Sequence, residues 1–373
     1  MIITEELAQK FAHAFFYDQL NEQKMKYEYY KGELGGKIAF RHAKRFIPST
    51  GILNETSKSQ IDNPNFYIYT SSGKGFVIIS NDTSLPLVLG YSFSSSIGEE
   101  CPAPLVGLLK TYNLQIEKHK SYTTDQRDDS NEPETLLRAY SRNLPKSVVP
   151  PLIQTQWHQS NPYNSACPKV DKNKCTETDK SKCPENCAAG CVAIAMAQIL
   201  NYFQYPKVGE GQVTYNTRTR NTQEHANFGA TTYFKDQTLL DVATLVYHCG
   251  VSVKMDYREK ESSAYTEVVA RALKKYFRYG SVRHIKKSNK DDNRWKQILK
   301  NTLDKKIPIF YHAEDKGLAH AFICDGYNEQ DYFHFNWGWG PNMGNGYFKI
   351  NILNNEGFAF NRNHQAIIAR IEN

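Results

Sequence analysis

The sequence predicts an α+β protein of two domains. Its 373 residues exceed what one hydrophobic core usually organises, so each half of the chain can bury a core of its own. Residues 1–120 mix helix-like and strand-like runs, whereas residues 191–350 place helices first and strands last. We therefore predict an α+β domain at residues 1–147 and, at residues 148–373, a two-lobe domain whose helical lobe precedes an antiparallel sheet lobe.

The N-terminal half supplies helices and strands in turn. An amphipathic helix opens at residues 4–11, and a second helix at residues 104–118 carries one apolar face. Between them, the apolar runs 66–70 and 76–80 flank a Ser-Ser-Gly-Lys-Gly turn, which is typical of a hairpin, and residues 87–92 predict a further strand. The apolar face of the second helix comprises Leu105, Leu108, Leu109, Tyr112 and Ile116.

Residues 121–150 predict the boundary between the domains. This stretch is rich in acidic and basic residues and has little apolar content, so it cannot bury much area. Beyond it, helices are predicted at residues 191–203 and 264–276. Strands follow, separated by Gly, Asn or Asp, at residues 307–313, 321–327, 332–336 and 346–350.

Composition and charge argue against two kinds of partner. The net charge of +7 is spread thinly along the chain, so we expect no nucleic-acid binding. No run approaches the roughly 18 apolar residues that a membrane helix needs, so we expect no membrane span. The N-terminus lacks a basic-then-apolar signal sequence, and we expect the export signal to be absent from this chain.

Four of the eight cysteines lie in one polar loop, at Cys167, Cys175, Cys183 and Cys187. Because such a loop has little core, two local disulfides would be its natural source of order and would indicate an oxidising compartment. A structural zinc site built from the same four thiols is one alternative, and free thiols are another. The order of pairing cannot be read from the sequence.

Cys191 is the candidate nucleophile. Small residues precede it at positions 188–190, and a strong helical run follows. A thiol at a helix N-terminus is exposed to unpaired N–H groups, which stabilise the thiolate and lower its pKa. The small neighbours would also let backbone N–H groups approach a substrate carbonyl. The alternative is a buried structural cysteine.

His320 is the candidate base. It lies 129 residues after Cys191, at the head of a predicted strand. That separation is close to the roughly 130–150 residues between nucleophile and histidine in papain-like enzymes. A base at the start of a strand can face a thiol at the start of a helix across two lobes. The alternative is an ordinary polar residue at a sheet edge.

Three ordered segments, residues 190–199, 320–327 and 335–340 followed by Gly346-Tyr347-Phe348, resemble the streptopain family of bacterial cysteine proteases. The similarity extends to residues 159–164 and 250–257. Residues 75–82 and 89–92 resemble the propiece of the same family. The resemblance implies a papain-like fold and a secreted or cell-surface endopeptidase made as a latent zymogen. Its propiece would be an intramolecular inhibitor, removed by cleavage between Arg142 and Val148.

The resemblance also implies roles for three further residues. Gln159 would donate its side-chain amide to the developing oxyanion, and Asn336 and Trp337 occupy the stretch that orients the imidazole. Protein or peptide substrates are expected, with no metal and no organic cofactor. Trp337 and Trp339 either line a substrate subsite or pack in the core.

Two features depart from the family pattern. Ala319 stands where relatives commonly have Gly, and the cysteine-rich loop looks longer than in streptopain.

Two other functions remain open. A Cys-His amidase or transglutaminase-like acyl transferase would use the same catalytic pair on a different acyl substrate. A binding or inhibitor module with an inert protease half is the non-enzymatic alternative.

Overall fold

The structure is a computed structural model that describes residues 3–27, 43–46, 53–54, 65–71, 75–98, 103–122, 146–173, 175–236, 238–288, 292–315, 318–350 and 362–371. Residues 123–145, which include most of the predicted linker, lie outside the described ranges. The described elements are helices and antiparallel strands, so the predicted α+β class is confirmed.

The helices are α1 Glu5–Tyr27, α2 Ala103–Tyr122, α3 Cys191–Phe203, α4 Leu239–Ser252, α5 Val269–Phe277 and α6 Asp292–Leu303. The strands before α3 are β1 Ala43–Phe46, β2 Leu53–Asn54, β3 Phe66–Ser71, β4 Gly75–Ser80, β5 Val88–Ser92 and β6 Ser147–Val149. The later strands are β7 Gln212–Asn216, β8 Gln223–Asn227, β9 Ser281–Lys286, β10 Ile309–Asp315, β11 Leu318–Asn328, β12 Tyr332–Asn336, β13 Gly346–Lys349 and β14 Arg362–Arg370.

The chain divides into two compact units. The first unit comprises residues 1–148, 327–334 and 341–361, and the second comprises residues 149–326, 335–340 and 362–373. The division into residues 1–147 and 148–373 as propiece and protease stays a prediction, because it concerns processing.

In the first unit, strands pair in the order β2-β1-β3-β4-β5-β13-β12. The predicted hairpin forms, with Phe66 opposite Ser80. Phe11 and Phe15 of α1 are buried in a core with side chains of β3 and β4. The predicted apolar face of α2 is buried as well.

The second unit is built around α3, whose residues from Val192 to Leu200 are all buried. A helix that is apolar on every side must be covered all round. Residues of α4 and α5 and of strands β10, β11 and β14 share its core cluster. The sheet of this unit runs β11-β10-β14-β9, and its β10–β11 register sets His320 opposite Ala313.

Two helices of the second unit were not predicted. Helix α4 begins with a capping box in which Thr238 and Asp241 bond to each other's backbone N–H groups. Helix α6 buries Trp295, Leu299 and Leu303, a four-residue spacing that is visible in the sequence. The helix predicted at residues 264–276 is shorter, because a 3₁₀ turn at Thr266–Val268 precedes α5.

Candidate active site

Cys191 is the first residue of helix α3, as the sequence predicts. Its N-cap, Gly190, has φ 87° and ψ 137°. A Cβ at Gly190 would lie 2.6 Å from Met255 Cε and 2.8 Å from its Sδ, closer than real Cβ contacts. Only glycine therefore brings the chain into the helix at this point without strain.

The Cys191 thiol is half-buried. Burial raises the pKa of this thiol above its ordinary value, and the backbone N–H groups of Ala321 and Val192 oppose that rise in part. The helix start thus contributes donors that favour the thiolate, but the thiol stays protonated near neutral pH until a cation comes close.

His320 lies on β11 with its imidazole 7% exposed. Its Nε2 is 2.8 Å from the carbonyl oxygen of Trp337 and 3.2 Å from Nε1 of Trp339. A carbonyl oxygen can only accept and an indole N–H can only donate, so the two contacts require opposite roles of Nε2. The shorter contact assigns the proton to Nε2, and the Trp339 N–H then lies beside Nε2 without donating to it. In the neutral ring, Nδ1 then carries the lone pair that a general base needs.

Burial lowers the pKa of His320 to about 4, although the Trp337 carbonyl favours the protonated ring. The thiol and the imidazole are therefore both neutral near pH 7 in this structure. No hydrogen bond joins Cys191 to His320 among the contacts of the described residues. Both side chains belong to the second unit, but their ion pair is not formed here.

Gln159 lies in the same unit and is half-buried. Its backbone carbonyl accepts a hydrogen bond at 2.9 Å from the N–H of Ala189, which lies two residues before Cys191. Within the described part of the chain its side-chain amide has no hydrogen-bond partner. That amide is consequently able to donate to a substrate oxygen.

Asn336 and Trp337 have different surroundings. The Asn336 side chain donates to the Thr155 carbonyl at 2.8 Å and accepts from Gly338 N–H at 3.1 Å, so it braces the loop without touching His320. The Trp337 side chain is 1% exposed and packs in the core. Its backbone carbonyl contacts the His320 imidazole.

Gln198 is a residue near the site that the sequence analysis did not predict, and Trp339 is one for which it left two roles open. Gln198, fully buried on α3, accepts hydrogen bonds from Thr155 Oγ1 at 2.8 Å and Trp157 N–H at 3.3 Å. The sequence signal for Gln198 was an amide side chain within an otherwise apolar helical run. Trp339 is half-buried beside the His320 ring, whereas the Trp337 side chain is buried against the Phe322 ring.

The cysteine-rich loop holds one of the two expected disulfides. Cys175 and Cys183 are bonded, whereas Cys167 and Cys187 are free, buried thiols. The expectation of two disulfides is therefore wrong for the second pair, whose thiols are reduced in this structure. The four-cysteine zinc site does not fit either, since two of its thiols are bonded to each other. Within the described ranges no cluster of three or more His, Cys, Asp or Glu could hold a metal ion.

Among the helices that the structure describes, none combines the length and the apolar character needed to cross a membrane.

Comparison with known proteins gives the site its context. The model of the Peptidase C10 family matches residues 157–348, and the model described as Spi protease inhibitor matches residues 1–116. Streptopain from Streptococcus pyogenes is 30% identical over 317 residues, which cover 79% of this chain and 76% of streptopain. The thiol protease/hemagglutinin PrtT of Porphyromonas gingivalis is 29% identical over 312 residues, covering 78% of this chain and 34% of that protein.

A solved structure supports the same relationship. A fragment of prointerpain A from Prevotella intermedia superposes with a TM-score of 0.66 at 28% identity, covering 86% of this chain and 98% of the fragment. The predicted resemblance is confirmed, and the amidase or acyl-transferase alternative is not favoured. The chain is a cysteine peptidase with an inhibitor-like N-terminal region, and it belongs to the Peptidase C10 family.

Proposed function

We propose that this protein is a secreted cysteine endopeptidase, latent until its propiece at about residues 1–147 is removed, in which Cys191 is the nucleophile and His320 the base. The observation that carries the proposal is the start of α3: a glycine cap places the thiol among backbone donors in the same unit as a histidine with a free Nδ1.

The reaction begins when Nδ1 of His320 takes the Cys191 proton, leaving a thiolate paired with an imidazolium. The sulfur attacks the scissile carbonyl, and the oxyanion accepts hydrogen bonds from the Gln159 amide and the Cys191 N–H. His320 then protonates the leaving amine, and a thioester remains. Water, deprotonated by His320, hydrolyses the thioester and frees the thiol.

The Trp337 carbonyl orients the imidazole throughout this cycle. By accepting a hydrogen bond from Nε2–H, with an N···O distance of 2.8 Å, it keeps the lone pair on Nδ1. It also stabilises the imidazolium, as the carboxylate or amide partner does in other nucleophile–histidine pairs. We assign Asn336 to holding the adjacent loop. Membership of a peptidase family supports protein substrates, and no step of this chemistry requires a cofactor.

We infer that the N-terminal region inhibits the enzyme intramolecularly. In the first unit, β5 pairs with β13 so that Tyr91 faces Tyr347. Gly344 donates its N–H to Ser95 Oγ at 3.1 Å and to the Ser96 carbonyl at 3.0 Å. The N-terminal region therefore forms hydrogen bonds and strand pairing with residues 344–348. These residues follow, in the sequence, the loop that contains Trp337. The neutral thiol and imidazole fit a latent form.

The test compares the full chain with its Cys191→Ala variant under mild reductant, following mass and casein hydrolysis over time. We expect only the unaltered chain to lose a fragment the size of residues 1–147, by cleavage between Arg142 and Val148, and then to digest casein. If both chains stay inert after added protease has cut them near residue 147, the catalytic assignment is wrong. Peptidoglycan hydrolysis and amine transfer would then be assayed.

A further inference from the structure

The turn at residues 258–262 lies directly against the segment that leads to the nucleophile. The Ala188 N–H donates to the Arg258 carbonyl at 3.0 Å, and the Ser262 hydroxyl donates to the Ala188 carbonyl at 2.6 Å. These two hydrogen bonds hold both ends of the turn three residues before Cys191. The residues between them therefore lie close to the segment that enters α3.

The cysteine-rich loop contacts two of the three charged side chains in the middle of this turn. Glu259 accepts hydrogen bonds from the Thr176 N–H at 3.0 Å and the Thr176 hydroxyl at 3.2 Å. The Lys260 ammonium lies 2.6 Å from a carboxylate oxygen of Glu177. Glu261 is exposed and has neither an ion pair nor a hydrogen bond with any residue in the described ranges. Of the three charged side chains in the middle of the turn, Glu261 is the one that makes no contact with the cysteine-rich loop among the described residues.

Glu261 lies within electrostatic reach of the nucleophile. Burial is the main cause of the raised pKa of Cys191, and the Glu261 carboxylate adds to it. Exposed charges interact over about 8–10 Å at ordinary ionic strength. Because an extended peptide advances about 3.3–3.6 Å per residue, that range spans about three residues of a bound substrate.

Given the proposed peptidase function, we propose that Glu261 determines specificity, favouring peptides with a Lys or Arg side chain within about three residues of the scissile bond. The pairing would form at an exposed site, so it supplies a modest preference of about two- to fivefold. The preference should weaken as salt rises. Glu261 takes no part in bond breaking.

The experiment uses enzyme processed from the full chain and peptide sets that differ only by Lys, norleucine or Glu at each position from P3 to P2′. Wild type, Glu261→Gln and Glu261→Lys are compared with Glu210→Gln. This control removes one exposed carboxylate elsewhere in the second unit. The measured quantities are the ratios of kcat/KM for Lys over norleucine peptides and for Lys over Glu peptides, at low and high NaCl.

We expect one or more positions at which wild type and Glu210→Gln prefer Lys over norleucine about two- to fivefold. Glu261→Gln should abolish this preference, Glu261→Lys should turn it towards Glu, and high salt should reduce it. If norleucine peptides are cleaved but Glu261→Gln leaves every Lys-to-Glu ratio unchanged, the inference is wrong and the peptidase function stands. If no peptide is cleaved by any form, both fail together.

Discussion

Replacing Gly190 with alanine tests whether the backbone at the start of α3 positions the nucleophile. The conformation at φ 87° and ψ 137° costs a residue with a Cβ about 1–3 kcal/mol. The added methyl would lie 2.6 Å from Met255 Cε, and overpacking of this kind costs about 1–3 kcal/mol. Because the Met255 tip is flexible, we expect a loss of about 2–4 kcal/mol in the free energy of unfolding.

Gly211→Ala is the matched control, because Gly211 has φ 67° but no atom within 4 Å of its would-be Cβ. This substitution isolates the cost of placing a Cβ at a positive φ. We expect it to lower the free energy of unfolding by about 1 kcal/mol. Urea unfolding would be measured in a Cys191→Ala background, which prevents self-digestion. In the active background, displacement of the helix start should lower kcat/KM at least about tenfold. If Gly190→Ala lowers the free energy of unfolding no more than Gly211→Ala does, the argument that Met255 crowds a Cβ at position 190 is wrong.

Three other predictions concern the rest of the site. Gln159→Ala removes one oxyanion donor, so kcat of the processed enzyme should fall about 10²–10³-fold with little change in KM; an unchanged kcat would exclude that role. The pKa of His320 is lowered to about 4 in the folded chain, so its contribution is present above pH 6.5 and is lost as pH falls towards 4. Between pH 7 and 4.5, the free energy of unfolding in urea should therefore fall by about 2–2.5 kcal/mol less in His320→Gln than in the unaltered chain, and equal losses would contradict the burial argument. Replacing Cys175 and Cys183 by serine should cost about 2–3 kcal/mol, and reduction of the denatured chain should release these two thiols in a thiol titration.

Local signals in the sequence identify the ends of several elements. Small residues before an apolar helical run correctly predict that α3 begins at Cys191. Alternating apolar runs correctly predict the hairpin of β3 and β4. These features depend on neighbours within a few residues, where propensity and periodicity carry information.

Other features depend on contacts between distant residues. The group that meets His320 is a backbone carbonyl, which every residue carries, so no residue type could single out Trp337 O. The pairing of Cys175 with Cys183 depends on the path of a polar loop that has no periodicity. The difference between Glu261 and its neighbours can be recognised only when the partners of Glu259 and Lys260 in the cysteine-rich loop are known.

The central claim is that Cys191 forms a covalent acyl-enzyme. Its most direct test is acid quenching of the processed enzyme during turnover of an activated peptide ester, followed by peptide mapping by mass spectrometry. The account predicts one adduct of the acyl mass, located on the peptide that contains Cys191 and absent from the Cys191→Ala variant. Full activity in Cys191→Ala, or an acyl adduct on another residue that accumulates and decays at the turnover rate, would contradict it.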